Sequence, residues 1–213
     1  MTIQDVIDND LIQDIRTGTA ADDSIEMIGF PGGVFPNHEY SNCNRSWFGF
    51  NFSAYSNCNS VLEFGAWKDG FRSLTRIVLE SKSAETKFYG VSDVDVSHIN
   101  NDADVFAIQR DLTSYGDIVD LATSNGVTSF DVIIFETQSS INQMLEFWTY
   151  TSLLAPGGLI VVHDVHYHPG PKTLVENLDP DKFTVDIRCT DKIMDYGIAF
   201  ISTPNVYCKL IRV

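Results

Sequence analysis

Basic residues are scarce in this chain: 14 Lys and Arg stand against 29 Asp and Glu, a formal net charge of −15. Such a field repels phosphate backbones and anionic membranes, so nucleic-acid and membrane partners are not expected. It also favours solubility. Cysteine is sparse and scattered. Cys43, Cys58, Cys189 and Cys208 form no C-x-x-C pair, which argues against a structural zinc site. No apolar run reaches the length of a membrane span. The opening Met1-Thr-Ile-Gln-Asp5 has neither a basic n-region nor an apolar h-region, so no signal peptide is expected. A cytoplasmic location with reduced thiols is the resulting expectation. Asn44-Arg-Ser46 and Asn51-Phe-Ser53 fit the glycosylation pattern but carry no meaning without secretion.

What is present is enough for a core. The 213 residues include 44% hydrophobic and 20% charged, the composition of one globular domain with at most a small appendage. Residues 1–16 carry Ile3, Val6, Ile7, Leu11 and Ile15 at helical spacing. Residues 17–59 have no period and are rich in aromatics, among them Phe30, Tyr40, Trp47 and Tyr55. The whole stretch 1–59 reads as an N-terminal extension, either a lid or a segment packed on the sheet, and could contribute to a homodimer contact. Tyr40-Ser-Asn-Cys-Asn44 recurs as Tyr55-Ser-Asn-Cys-Asn59, but two copies do not make a repeat architecture.

From residue 60 the pattern is regular. Apolar strand-like runs fall at 60–64, 87–92, 104–109, 130–135 and 158–163. Helical patterns lie between them at about 71–82, 114–124, 139–154 and 171–178, with a shortened crossover around 95–103. Alternating strands and helices predict a doubly wound, mostly parallel α/β sheet over residues 60–213. Val132-Ile-Ile-Phe135 and Leu159-Ile-Val-Val162 are unbroken apolar runs, as central strands covered on both faces require. Pro156-Gly-Gly158 marks the turn into the last of these. Phe183–Cys189, Gly197–Ser202 and Tyr207–Val213 follow without helices, so the sheet is expected to end in antiparallel pairing.

Ligands of such sheets bind beyond the carboxyl ends of the strands. The first strand runs into Val61-Leu-Glu-Phe-Gly-Ala-Trp-Lys-Asp-Gly70, where Gly65 and Gly70 allow a sharp turn and close approach of a ligand. The second ends in Ser92-Asp93-Val94-Asp95, and either Asp93 or Asp95 is placed to accept ribose hydroxyls. Asp111 ends the third strand, Glu136 the fourth, and His163-Asp164 the fifth.

The Val61–Gly70 stretch resembles the first motif of class I S-adenosylmethionine-dependent methyltransferases. Phe130-Asp-Val-Ile-Ile-Phe-Glu136 resembles their fourth-strand motif, and Leu153-Leu-Ala-Pro-Gly-Gly-Leu-Ile-Val-Val-His-Asp164 their fifth. The likeness spans roughly residues 55–203, and the closest branch is the small-molecule and sugar O-methyltransferases. A dinucleotide dehydrogenase more often shows G-x-G-x-x-G. The resemblance implies a seven-stranded-type, Rossmann-like sheet with S-adenosylmethionine on it. Glu63, Gly65 and Ala66 would line the methionine end, Gly70 the close approach, Asp93 or Asp95 the ribose, Asp111 and Leu112 the adenine, with Glu136 beside them.

In that branch an acid at the fourth strand end is followed by a histidine, and paired acids close the fifth. Here Ser139 stands in the histidine's place and His163-Asp164 in that of the paired acids. Glu136, His163 and Asp164 are therefore candidate ligands for a divalent ion, with manganese or iron suiting this mixed set better than magnesium. His166 and His168, in Asp164-Val-His-Tyr-His-Pro169, are candidate bases beside Asp164. Trp67 and Lys68 occupy positions where the family has small residues, and Trp67 either shapes the site or obstructs it. The expected activity is methyl transfer to a hydroxyl of a small molecule or sugar. A catalytically silent binding module, and a nucleotide- or sugar-modifying enzyme on the same sheet, are the alternatives.

Overall fold

Seven strands form one mixed sheet in the order β3-β2-β1-β4-β5-β7-β6. They are β1 Ser60–Phe64, β2 Lys87–Ser92, β3 Val105–Gln109, β4 Phe130–Phe135, β5 Leu154–His163, β6 Thr184–Arg188 and β7 Ile198–Ser202. The computed structural model describes residues 58–67, 74–110, 116–136, 147, 149–166, 168–188 and 197–202. The expected helix at 1–16, nearly all of the 17–59 extension, most of the helix at 139–154 and the strand at 207–213 lie outside these residues.

β1 to β5 pair in parallel, and β7 runs antiparallel to both β5 and β6. Every residue of β1 and β4 is buried, as the unbroken run Val132–Phe135 predicts for β4 as a strand covered on both faces. Phe64 joins the two at the core: its ring stacks on Phe135 at 5.3 Å and on Tyr150 at 4.7 Å.

Three helices are described over named limits, and residues 147, 149 and 150 are also helical. Helix α1 spans Leu74–Ser81 and buries Leu74, Ile77 and Val78, one apolar stripe at helical spacing. Helix α2 spans Gly116–Ser124 and buries Ile118 and Ala122. Helix α3 spans Pro169–Glu176, where Pro169 suits the first helical position because no partner there needs its missing N–H. The shortened crossover after β2 is a single 3-10 turn, Ser97–Ile99.

Most boundaries fall within about three residues of expectation, and the start of β5 differs most. β5 begins at Leu154, so Pro156-Gly-Gly158 falls inside the strand. The ladder to β4 slips between Phe130↔Leu154 and Val132↔Leu159, and the extra residues bulge out. A bulge is a place where a strand tolerates proline. A Cβ on Gly158 would lie 2.9 Å from the Asp131 carbonyl oxygen, so glycine is needed for the close strand contact.

Strand order reverses between β1 and β4, because β1 is followed on one side by β2 and β3 and on the other by β4 and β5. Open α/β sheets place their ligand crevice at such a reversal, outside the carboxyl ends. The ends of β2, β1, β4 and β5 therefore define the candidate site.

Candidate active site

The turn after β1 is anchored from below. The Gly65 and Ala66 N–H groups both donate to the Val91 carbonyl, at 2.9 and 3.0 Å. Gly65 has φ 86°, which glycine adopts without a Cβ clash. Gly90 lies beneath the turn on β2, where a Cβ would come within 2.8 Å of the Ala66 Cβ. With both amides committed to Val91, Gly65 and Ala66 offer a ligand a close surface in place of hydrogen-bond donors.

Trp67 also has a left-handed backbone, φ 57°, uncommon for a bulky residue. Its N–H donates to Thr75 Oγ1 at 2.6 Å, and that hydroxyl donates to Glu63 Oε1 at 2.9 Å. Glu63 and Thr75 are both 0% exposed. This relay runs from the strand, through helix α1, to the turn.

Glu63 belongs to a buried carboxyl pair. Burial pushes its carboxyl well above the ordinary range, the charge of Glu136 adds to this, and the Thr75 hydrogen bond opposes it. A proton on Glu63 relieves its like-charge contact with Glu136. Glu136 Oε2 also accepts from Leu74 N at 3.1 Å, at the amino end of α1. A carboxylate there meets the positive end of the helix dipole. The resemblance places Glu63 and Glu136 against a cofactor. Both are buried, Glu63 bonded to Thr75 of α1 and Glu136 to the Leu74 N–H, so both help to hold the turn and α1.

At the end of β5 the chain bends at Asp164, another left-handed non-glycine residue with φ 61°. His163 Nδ1 lies 3.3 Å from Glu136 Oε1 and 3.0 Å from Asp164 Oδ1. Asp164 Oδ2 lies 3.6 Å from His168 Nε2. His168 N donates to the Asp164 carbonyl at 3.1 Å, closing the loop that leads into α3. The Asp164 side chain is 7% exposed and that of His168 24%, so a buried carboxylate faces an imidazole that reaches the surface. His166 is exposed and packs against Gly197 at the start of β7. Gly197 has φ 65°, and a Cβ on it would lie 2.4 Å from His166 Cδ2.

At the end of β2 the two candidate acids separate by role. Asp95 Oδ1 accepts from Ser97 N at 2.9 Å and caps the 3-10 turn, and its hydrogen bonds to Ser97 hold its carboxyl below the ordinary range. Asp93 is the first residue past the strand, and Gln109 Nε2 donates to its carbonyl at 3.1 Å. Both acids are exposed. Gly70, Asp111, Leu112 and Ser139 lie outside the described residues.

The structure thus brings Glu63, Glu136, His163, Asp164 and His168 into one chain of contacts across β1, β4 and β5, with Asp93 and Asp95 on the β2 side. Thr75, Gly90 and Gly197 were not legible as site residues. Thr75 carries the only sequence hint, a hydroxyl in the first turn of the helix that follows the glycine turn. The mixed metal set finds no support. Among the described residues no group of three or more His, Cys, Asp and Glu is arranged to hold an ion. Glu136 and Asp164 both turn an oxygen to the same ring nitrogen of His163, and the other Glu136 oxygen is committed to α1. Among the described residues no helix is long and apolar enough to cross a membrane.

No protein-family profile matches the chain, and no curated protein matches it in sequence. Solved structures do match in shape. One is TomG, an O-methyltransferase from Streptomyces achromogenes involved in tomaymycin synthesis, in complex with S-adenosylmethionine: TM-score 0.53, 12% identity, 87% of this chain and 88% of that one. Another is a putative rRNA methylase from Clostridium thermocellum: TM-score 0.53, 14% identity, 73% of this chain and 92% of that one. A third is the MycE methyltransferase of the mycinamycin biosynthetic pathway, in complex with Mg, S-adenosylhomocysteine and mycinamycin VI: TM-score 0.52, 17% identity, 71% of this chain. The chain spans about half of MycE, 47% of its length. With the strand order and the turn after β1, these matches show that this chain has the class I S-adenosylmethionine-dependent methyltransferase fold.

Proposed function

We propose that this chain transfers a methyl group from S-adenosylmethionine to a hydroxyl of a small molecule or sugar. The observation that carries the reading is the Asp164–His168 pair: a buried carboxylate beside a partly exposed imidazole, on the strand end that flanks the ligand crevice. The turn suits the cofactor because Gly65 carries no side chain and Ala66 is seated over Gly90, which leaves a low surface at the switch point. Asp93 is the proposed ribose acceptor, because it is exposed and is the first residue past the end of β2.

S-adenosylmethionine, when bound, supplies a methyl carbon on a positively charged sulfur, whose bond breaks with its electron pair left on sulfur as the acceptor oxygen bonds to carbon. The residues then have two tasks. His168 takes the hydroxyl proton as the oxygen attacks, and Asp164 orients the ring and steadies its positive charge. The turn and the β2 end fix the geometry, which matters because in-line displacement depends on alignment. His166 is the second candidate base, placed by its contact with Gly197. The formal charge of −15 supports a small acceptor over RNA.

Calorimetric titration with S-adenosylmethionine and S-adenosylhomocysteine tests the cofactor. Binding of both is expected, and binding of neither would sink the proposal. A silent binding module would bind cofactor yet turn over no hydroxyl acceptor. Activity is expected to survive a chelator.

A further inference from the structure

We propose that Trp67 and His98 form an aromatic clasp over the nucleoside half of the cofactor and set how long it stays bound. The inference rests on the reading that S-adenosylmethionine occupies the strand ends. Trp67 follows the end of β1 by three residues, and His98 lies in the 3-10 turn after β2. Their rings meet edge to face, with centroids 5.0 Å apart and planes at 74°. The contact therefore joins the two loops beyond the carboxyl ends of neighbouring strands. Ribose and base are expected over those same ends.

Both halves of the contact are built. Trp67 is held left-handed, a conformation that costs a bulky residue free energy, and the surrounding structure fixes it there. The clamp is the hydrogen bond from its N–H to Thr75, whose hydroxyl in turn donates to fully buried Glu63. On the other side, Asp95 caps the turn that carries His98, and Asn101 Nδ2 donates to the His98 carbonyl at 2.6 Å. A strained backbone fixed by buried groups marks a position whose side-chain direction matters. Here the direction is across the β2 end. Indole and imidazole provide the apolar edges and faces against which a purine packs.

The test compares the full chain with His98→Ala and Trp67→Phe. S-adenosylhomocysteine and 5′-methylthioadenosine serve as probes, by calorimetry and by stopped-flow dissociation. His98 is exposed, so its replacement leaves the fold intact. His98→Ala is expected to weaken both probes by the same factor, roughly 3- to 10-fold, through faster dissociation. Trp67→Phe is expected to abolish most of the tryptophan fluorescence change on binding while retaining measurable affinity. Three results overturn the clasp and leave the methyltransferase reading standing: unchanged dissociation in His98→Ala, a loss seen with S-adenosylhomocysteine but not with 5′-methylthioadenosine, or tighter binding in either variant. Failure of the unaltered chain to bind S-adenosylmethionine or S-adenosylhomocysteine overturns both.

Discussion

Thr75→Val would test whether the relay from Glu63 to Trp67 holds the cofactor turn. The substitution keeps the shape of the side chain and removes its hydroxyl. Two hydrogen bonds disappear, one accepted from Trp67 N at 2.6 Å and one donated to Glu63 Oε1 at 2.9 Å. A buried polar group left without its partner costs about 1–3 kcal/mol. Thr75 and Glu63 are fully buried, so water cannot replace the lost bond at Glu63. The Trp67 amide is only partly buried, so its share falls at the low end. Together the losses reach about 2–4 kcal/mol, and the added buried methyl returns about 1 kcal/mol. The net is about 1–3 kcal/mol, which for a chain of this size lowers the melting temperature by about 2–12 °C. S-adenosylhomocysteine affinity should fall at least as far as in a stability-matched control, because freed Trp67 leaves its left-handed conformation. Thr75→Ser is the control: it keeps both hydrogen bonds and loses only a methyl. Calorimetric melting and binding titration read both effects. If Thr75→Val and Thr75→Ser agreed in melting temperature and affinity, the relay would have no part in holding the turn.

Three further predictions address the rest of the site. The raised Glu63 carboxyl means that the folded chain keeps a proton that the unfolded chain releases near pH 4.5, so its contribution is full below that pH and is lost as pH rises toward the folded value. Glu63→Gln should therefore melt with the natural chain near pH 5, by roughly that reckoning, and above it near pH 8; a constant gap across the range would contradict this. His168→Ala should lower kcat by about 10²- to 10⁴-fold with cofactor affinity unchanged, the loss expected of a general base; equal loss in cofactor binding would instead place it in the binding surface. Gly197→Ala should destabilise through both its φ of 65° and the contact with His166, and adding His166→Ala should recover part of the melting temperature. Strict additivity of the two changes would show that the contact is not tight.

The framework was legible because it is local. Apolar strand-like runs announced β1, β2 and β4 at their observed limits, and the missing helix after β2 followed from the short interval. Proline and paired glycines misled at β5, because a bulge and a turn draw on the same residues. The acids at the strand ends were visible as residues but not as roles. Nothing in the sequence around Glu136 shows that its side chain also meets the amino end of a helix starting at Leu74. The hydrogen bond from Ser97 N to Asp95 depends on a turn that no sequence period announces. His166 was visible, but the glycine that seats it comes from β7, beyond an entire helix and strand. Roles set by long-range contacts have no period to read.

The shared carbonyl of Val91 has a consequence for how this site can change. A turn that spends both of its first amides on a neighbouring strand keeps those two groups from a ligand. Exposed side chains at the rim, such as that of His98, can be replaced by single codon changes without loosening the sheet. The rim is therefore open to drift and to redesign, while the platform beneath stays fixed.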